Sequence, residues 1–306
     1  MRTTVVIAII ACWLIGGQTF AQTLTKSEAE EMMNRAFELS EAKRYEEALD
    51  IFLLVGKNTE LQRTESERKD YIRSQTGACL CYELTEQYEK GYQLAKKLIA
   101  GNLKEDEKKD VYRQYVLNGY LMACRLMRRS DDGVVDYNKA RELLFEIMPY
   151  ADDKLIIYVV PKVPYCWYAE GVEYYVSLKF NEALDRFKNA LTWYHELGLV
   201  KDEMSMLKLI ASGNNYLDMV GEAIGNYEQA LELAKKIQDV TEQLDIAKEL
   251  YSLYNVVGNM EEKNHYNHMM DSLFDKTNDK EAHFTYYNHK GEEAQGQRLY
   301  KLAEQW

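Results

Sequence analysis

The chain has 306 residues, 46% of them hydrophobic, a formal net charge of −12 and only three prolines. That is enough apolar content for a sizeable core, and prolines at 149, 161 and 164 leave long stretches open to helix, so helix is expected to dominate. The negative charge repels phosphate backbones and argues against nucleic acid as a direct partner, while Lys96-Lys97, Lys108-Lys109 and Arg128-Arg129 are interleaved with acids and read as solvated helix faces.

Residues 1–22 hold one basic residue, an apolar run at 5–15, two glycines and small residues before Gln22. This pattern predicts a secretory signal, residues 1–21, cut after Ala21, which takes the charge from −12 to −13 by removing Arg2. Two other readings of the segment are a membrane anchor facing the periplasm, for which the run is short, and a lipoprotein signal, since Ile9-Ile10-Ala11-Cys12 would leave an acylated Cys12. The expected location is therefore the periplasm, and residues 22–306 form the mature part.

Along the mature chain, small and aromatic residues recur at helical spacing. Ala36, Leu39, Tyr45, Ala48 and Phe52 predict a first pair of helices, and Cys79, Tyr82, Tyr88, Gly91 and Ala95 a second. A third, irregular pair has a long helix ending near Arg129, a loop at 130–136, and a second helix marked by Tyr137, Ala140 and Leu144. Residues 151–162 read poorly as helix-turn-helix; an apolar run before two prolines predicts a short extended link or a bent helix.

The clearest pattern follows. Trp167, Gly171 and Tyr174 fall at i, i+4 and i+7 on one helical face, and Ala183, Phe187 and Ala190 mark the next helix. Gly171 predicts a close helix crossing that Ala183 answers from the second helix. Forty residues on, Ala211, Ala223, Tyr227 and Ala230 repeat the frame, with the extra length expected around 198–201 and Asp202 opening the next helix. Leu250, Tyr254, Gly258 and Met270 give a weaker pair, with Lys263 and Asn267 where small and aromatic residues stood. The frame then puts Gly291 and Ala303 in a last pair whose second helix would begin near Arg298, so the sequence is expected to stop in mid-unit.

With this signature the chain resembles tetratricopeptide-repeat proteins. The resemblance implies an all-α solenoid of about five and a half helix-turn-helix units, the last incomplete, each burying a face it could not bury alone. The one departure inside the clearest repeat is Glu170, where the family has leucine, which predicts a carboxylate near the groove or its rim. First helices of such repeats line a concave groove, and the groove positions of the clearest repeat would be Tyr165, Tyr168, Val172 and Tyr175. With 24 tyrosines in the chain, these either supply a recognition surface or pack against the neighbouring unit. Members that clamp a terminal carboxylate carry an asparagine where Val172 stands, so that activity is not expected.

Little here points to catalysis. Gly-x-Ser-x-Gly, phosphate-cradling glycine loops and His-Glu-x-x-His are all missing from the sequence, and no cofactor is implied. His265 and His268, with Glu261 and Glu262 before and His283 and His289 after, are the one metal-like grouping, and His265 and His268 are expected on an outward face. Cys79 is explained by packing at a small-residue position; a Cys81–Cys124 disulfide between units is a further option. An exported array of this kind resembles the extracytoplasmic sensor region of bacterial sensor histidine kinases, which implies ligand or partner reception with any kinase output outside this chain. A standalone periplasmic adaptor is the alternative.

Overall fold

The computed structural model describes residues 24–128 and 135–303. The expected signal segment and the Cys12 lipidation site lie outside them. The chain divides into two compact units, Met1–Met122 and Ala123–Trp306.

In the first unit, α1 (Lys26–Glu41) and α2 (Tyr45–Thr59) form one hairpin, and α3 (Glu65–Leu84) and α4 (Tyr88–Ala100) a second; α5 (Glu105–Leu126) begins here. Thr25 opens α1 with a reciprocal cap, accepting from the Glu28 amide while the Glu28 carboxylate accepts from Thr25 N at 2.9 Å. The core takes in Ala36, Ala48 and Phe52, as their spacing predicts, with Met33 and Val55 beside them. Cys79 and Ala95 are fully buried.

In the second unit, α6 (Tyr137–Ile147) is followed by a 3₁₀ turn, the four-residue α7 (Ile156–Val159), and α8 (Lys162–Val176). Residues 151–162 thus realise the bent-helix alternative. Pro161 is the N-cap of α8 and Pro164 sits in its first turn, where the amide has no intrahelical acceptor to lose. From here the rhythm is uniform: α9 (Phe180–Glu196), α10 (Val200–Tyr216), α11 (Val220–Lys236), α12 (Val240–Val256), α13 (Met260–Phe274) and α14 (Lys280–Ala303) start every 20 residues.

One turn geometry recurs between them. Residues 178, 198, 218, 238 and 258 all have φ between 57° and 74°. Each such turn returns the next residue's amide to a carbonyl five back, as in Lys179 N to Tyr174 O at 2.9 Å and Asp239 N to Ala234 O at 3.0 Å. Gly198 and Gly258 adopt that φ freely, whereas Leu178, Asp218 and Gln238 hold it against the Cβ clash. The connection at 197–199 is no longer than the one at 217–219. The additional residues of the 40-residue period, expected around 198–201, instead lengthen the helices, and α10 opens at Val200 rather than at Asp202.

The described residues are all-α: two hairpins in the first unit, three in the second, and α14 following the last of them. The hairpins are of the tetratricopeptide kind: Ala183, Phe187, Ala190, Ala211, Ala223 and Ala230 are all at most 1% exposed. Gly171 permits the close crossing, but its counterpart is the Phe187 ring, 2.6 Å from where a Cβ would stand, and not Ala183. At the last unit the expected turn before Arg298 is not formed. α14 runs unbroken from Lys280 to Ala303, and Gly291 faces open space, with no described helix packed on it.

Candidate binding cleft

The first helices of the second unit carry their outward faces into one cleft of about 700 Å³. α8 contributes Tyr165 and Tyr168, α12 Asp245, Lys248 and Glu249, and α14 Thr285 and Asn288. α10 supplies its middle through Asp202, Ser205, Lys208, Leu209 and Ser212, and Tyr194 and Tyr227 reach in from second helices. The 40-residue period explains this set. Tyr165, Ser205, Asp245 and Thr285 are repeat-equivalent, as are Tyr168, Lys208, Lys248 and Asn288, so one helical face is presented four times over.

Of the four groove positions expected in the clearest repeat, Tyr165 and Tyr168 line the cleft, their rings 5.9 Å apart. Val172 and Tyr175 do not. Val172 packs, partly buried, on the core of Phe187 and Ile210. The Tyr175 ring lies edge-on to Phe180 and Tyr216, and its hydroxyl shares a 2.7 Å hydrogen bond with Ser212 of the next hairpin. For these two the neighbour-packing alternative is the one realised, because they sit one and two turns further along α8, where α10 closes against it. The members missed in sequence, such as Lys208, Asp245 and Lys248, were reachable by stepping Tyr165 and Tyr168 forward in the same period.

The electrostatics of the cleft are mixed. Lys208 donates to Glu242 at 2.5 Å, Lys248 pairs with Glu292 at 3.5 Å, and Asp245 accepts from Thr285 Oγ1 at 2.9 Å. Desolvation in the cleft pushes the Glu249 carboxyl above its ordinary value, against the opposing pull of Lys248. Burial likewise pushes the Tyr194 and Tyr227 hydroxyls upward, so both stay protonated donors at neutral pH. The lining thus offers tyrosine rings, hydroxyl donors and both signs of charge, with no cysteine or histidine among its residues.

Glu170 is not at this cleft. Its carboxylate lies between Arg141 of α6 at 2.8 Å and Arg186 of α9 at 3.0 Å, and the Arg141 guanidinium stacks 5.0 Å above the Trp167 ring. The acid replaces leucine because two arginines from flanking helices converge on it. Lys263 and Asn267 of the weaker pair are also used in place. Lys263 donates to Asn255 at 2.8 Å, and Asn267 Oδ1 accepts from Lys290 at 2.8 Å and from His289 at 3.2 Å, tying α13 to α14.

His265 and His268 are exposed. Among the described residues, no three His, Cys, Asp or Glu side chains stand close enough to hold a metal ion. Cys79, Cys81, Cys124 and Cys166 are all free thiols, so the Cys81–Cys124 bridge is not formed; Cys81 is buried 3.8 Å from Ser40 Oγ. Burial raises Cys166 to about 12, which leaves it an unreactive packing residue. No described helix is long and apolar enough to cross a membrane.

No protein-family profile and no curated protein matches this chain. Solved structures similar to it include apo RapI, at 16% identity and TM-score 0.39 over 84% of this chain and 79% of that one. BtubC from P. vanneervenii is similar at 13% identity and TM-score 0.37, over 85% and 92% of the two chains. The TPR2AB domain of yeast Sti1, solved with pHSP90, is similar at 12% identity and TM-score 0.35, over 87% and 100%. At these scores the fold class stands on the hairpin packing described above.

Proposed function

We propose that this chain is an exported, non-catalytic tetratricopeptide scaffold that seats a protein or peptide segment in the α8–α14 cleft, and that it serves as the sensory input of a membrane receptor of the sensor histidine kinase kind. The observation that carries the binding role is the alignment of repeat-equivalent positions from four successive first helices around one opening. Such a lining suits an extended peptide: its backbone needs donors and acceptors at regular intervals, and its side chains need aromatic surface with polar tips. Export rests on the composition of residues 1–22. A sensory role requires the occupant to bind one arrangement of the hairpins more tightly than another, since only differential affinity shifts an equilibrium.

Two measurements test this. N-terminal sequencing of the protein from a periplasmic fraction should begin at Gln22; an intact Met1 in the cytoplasm would end the export reading. Partners retained by the wild type should be lost when Tyr168→Ala and Lys248→Ala are combined. Retention by that variant would remove the cleft from the account.

A further inference from the structure

A second surface goes beyond that reading. The turns within hairpins, α8–α9, α10–α11 and α12–α13, emerge on one edge of the second unit, and the turns between hairpins on the other, because successive helices run antiparallel. The first edge is apolar. Val176 is 71% exposed, Leu178 75%, Tyr216 63%, Val256 72%, Val257 51% and Met260 59%. Val176, Tyr216 and Val256 are repeat-equivalent, one large apolar residue at the last position of each first helix. On the opposite edge, Leu197 at 36% is the single large apolar side chain among 197–199 and 237–239 exposed to that degree.

Neighbouring turns are held together. The Phe180 and Tyr216 rings stack at 4.8 Å and Tyr175 meets Tyr216 edge-on at 5.9 Å, so the apolar residues form a continuous ridge from the first turn to the second. Scattered exposed apolar residues are ordinary, but one repeated at the same position of three successive hairpins marks an interface.

Charge decides what covers it. Glu182, Asp218, Glu222, Glu261 and Glu262 flank the ridge, against two lysines. Lys179 lies 6.0 Å from the Tyr174 ring and Lys263 is bonded to Asn255. A second copy would bring the same acids face to face, and an anionic lipid surface would be repelled. We infer that this edge docks a partner-protein helix with an apolar face flanked by lysine or arginine, at a site separate from the cleft. Leucine-type anchors would enter the row Val176, Tyr216 and Val256, and the basic flanks would meet the acids at the starts of α9, α11 and α13.

The probe is a labelled amphipathic helical peptide of leucine and lysine, titrated into the full chain by fluorescence anisotropy, with a leucine–glutamate peptide of the same pattern as control. The lysine peptide should bind saturably, and the combined Val176→Ser, Tyr216→Ser and Val256→Ser variant should weaken it at least tenfold. The Tyr168→Ala/Lys248→Ala cleft variant should bind it as the wild type does, so failure here is distinct from failure of the cleft reading. All three ridge positions are exposed, and an unchanged circular dichroism melt will confirm folding of the ridge variant. Equal binding by the ridge variant, or equal binding of the glutamate peptide, overturns the inference. So does a concentration-dependent dimer in sedimentation that the ridge variant abolishes, or ridge-dependent flotation with phosphatidylglycerol vesicles.

Discussion

The hairpins at 162–274 and those at 26–100 are made from the same helix-turn-helix unit but are joined by different chemistry. In the later set every linker is three residues closed by one positive-φ residue, and Gly171 packs on the Phe187 ring as Gly77 does on Phe52 in the earlier set. In the earlier set the turns within hairpins keep that closure at Lys43 and Glu86, but the links at 60–64 and 101–104 are longer. Its interfaces also use polar groups. Asn118 donates to Cys79 O at 3.3 Å from beside Gly91, and Arg68 pairs with Glu107 at 2.7 Å. Uniform linkers keep each first helix in the same rotation as the last, which is what lets equivalent side chains share one cleft.

The largest effect is expected where the later set departs from its own pattern. Glu170→Leu restores the residue of the repeat signature but strands Arg141, whose side chain is 9% exposed, without its carboxylate. It should cost about 3 kcal/mol in urea unfolding, as loss of one partner of a buried pair does. A gain in stability would show that the ion triad is dispensable and that the leucine pattern applies here too.

Next in size is a pair of glycine substitutions. Gly171→Ala drives a methyl into the Phe187 ring and should destabilise by about 1–3 kcal/mol, while Gly221→Ala, on open helix surface, should stabilise by up to about 1 kcal/mol. Equal effects in thermal melts would mean that the close crossing is not limiting. In the earlier set, Asn118→Ala removes the bridge to Cys79 O and should cost about 1–2 kcal/mol, which would make its polar interfaces as consequential as the ring packing of the later one.

How much of this was legible in the sequence follows from the same physics. Small and aromatic residues at crossings announce themselves by spacing, so Ala36, Ala48, Phe52, Gly171, Phe187 and Ala223 could be placed from periodicity alone. Glu170, Lys263 and Asn267 looked like flaws, because their partners, Arg141, Asn255 and Lys290, are distant or on other helices and no local pattern links them. Helical spacing puts Val172 and Tyr175 on one face with Tyr165 and Tyr168 but does not say where the next helix closes over that face, and of the four, Tyr165 and Tyr168 line the cleft. The last expected hairpin failed for a related reason. Gly291 matches the frame in sequence, yet no described helix packs on it.

The smallest effect concerns the junction of α13 and α14. His289 is 2% exposed, lies edge-on to Tyr251 at 4.5 Å, and burial pushes its imidazole below the ordinary value of about 6.5. The unfolded chain therefore takes up a proton below that pH which the folded chain does not. The stability present above about pH 6.5 is lost progressively as pH falls through and below it. His289→Gln should flatten the decline in melting temperature between neutral and mildly acidic pH, and an unchanged slope would assign the decline to other groups.

The most direct test of the central claim is a photo-crosslinking amino acid placed in intact cells at Asn288, on the cleft, and at Lys188, exposed on a second helix outside it. The account predicts a discrete adduct from position 288, none from 188, and loss of the adduct when Tyr168→Ala and Lys248→Ala are introduced. Equal adducts from both positions, or an adduct at 288 indifferent to those changes, would contradict it.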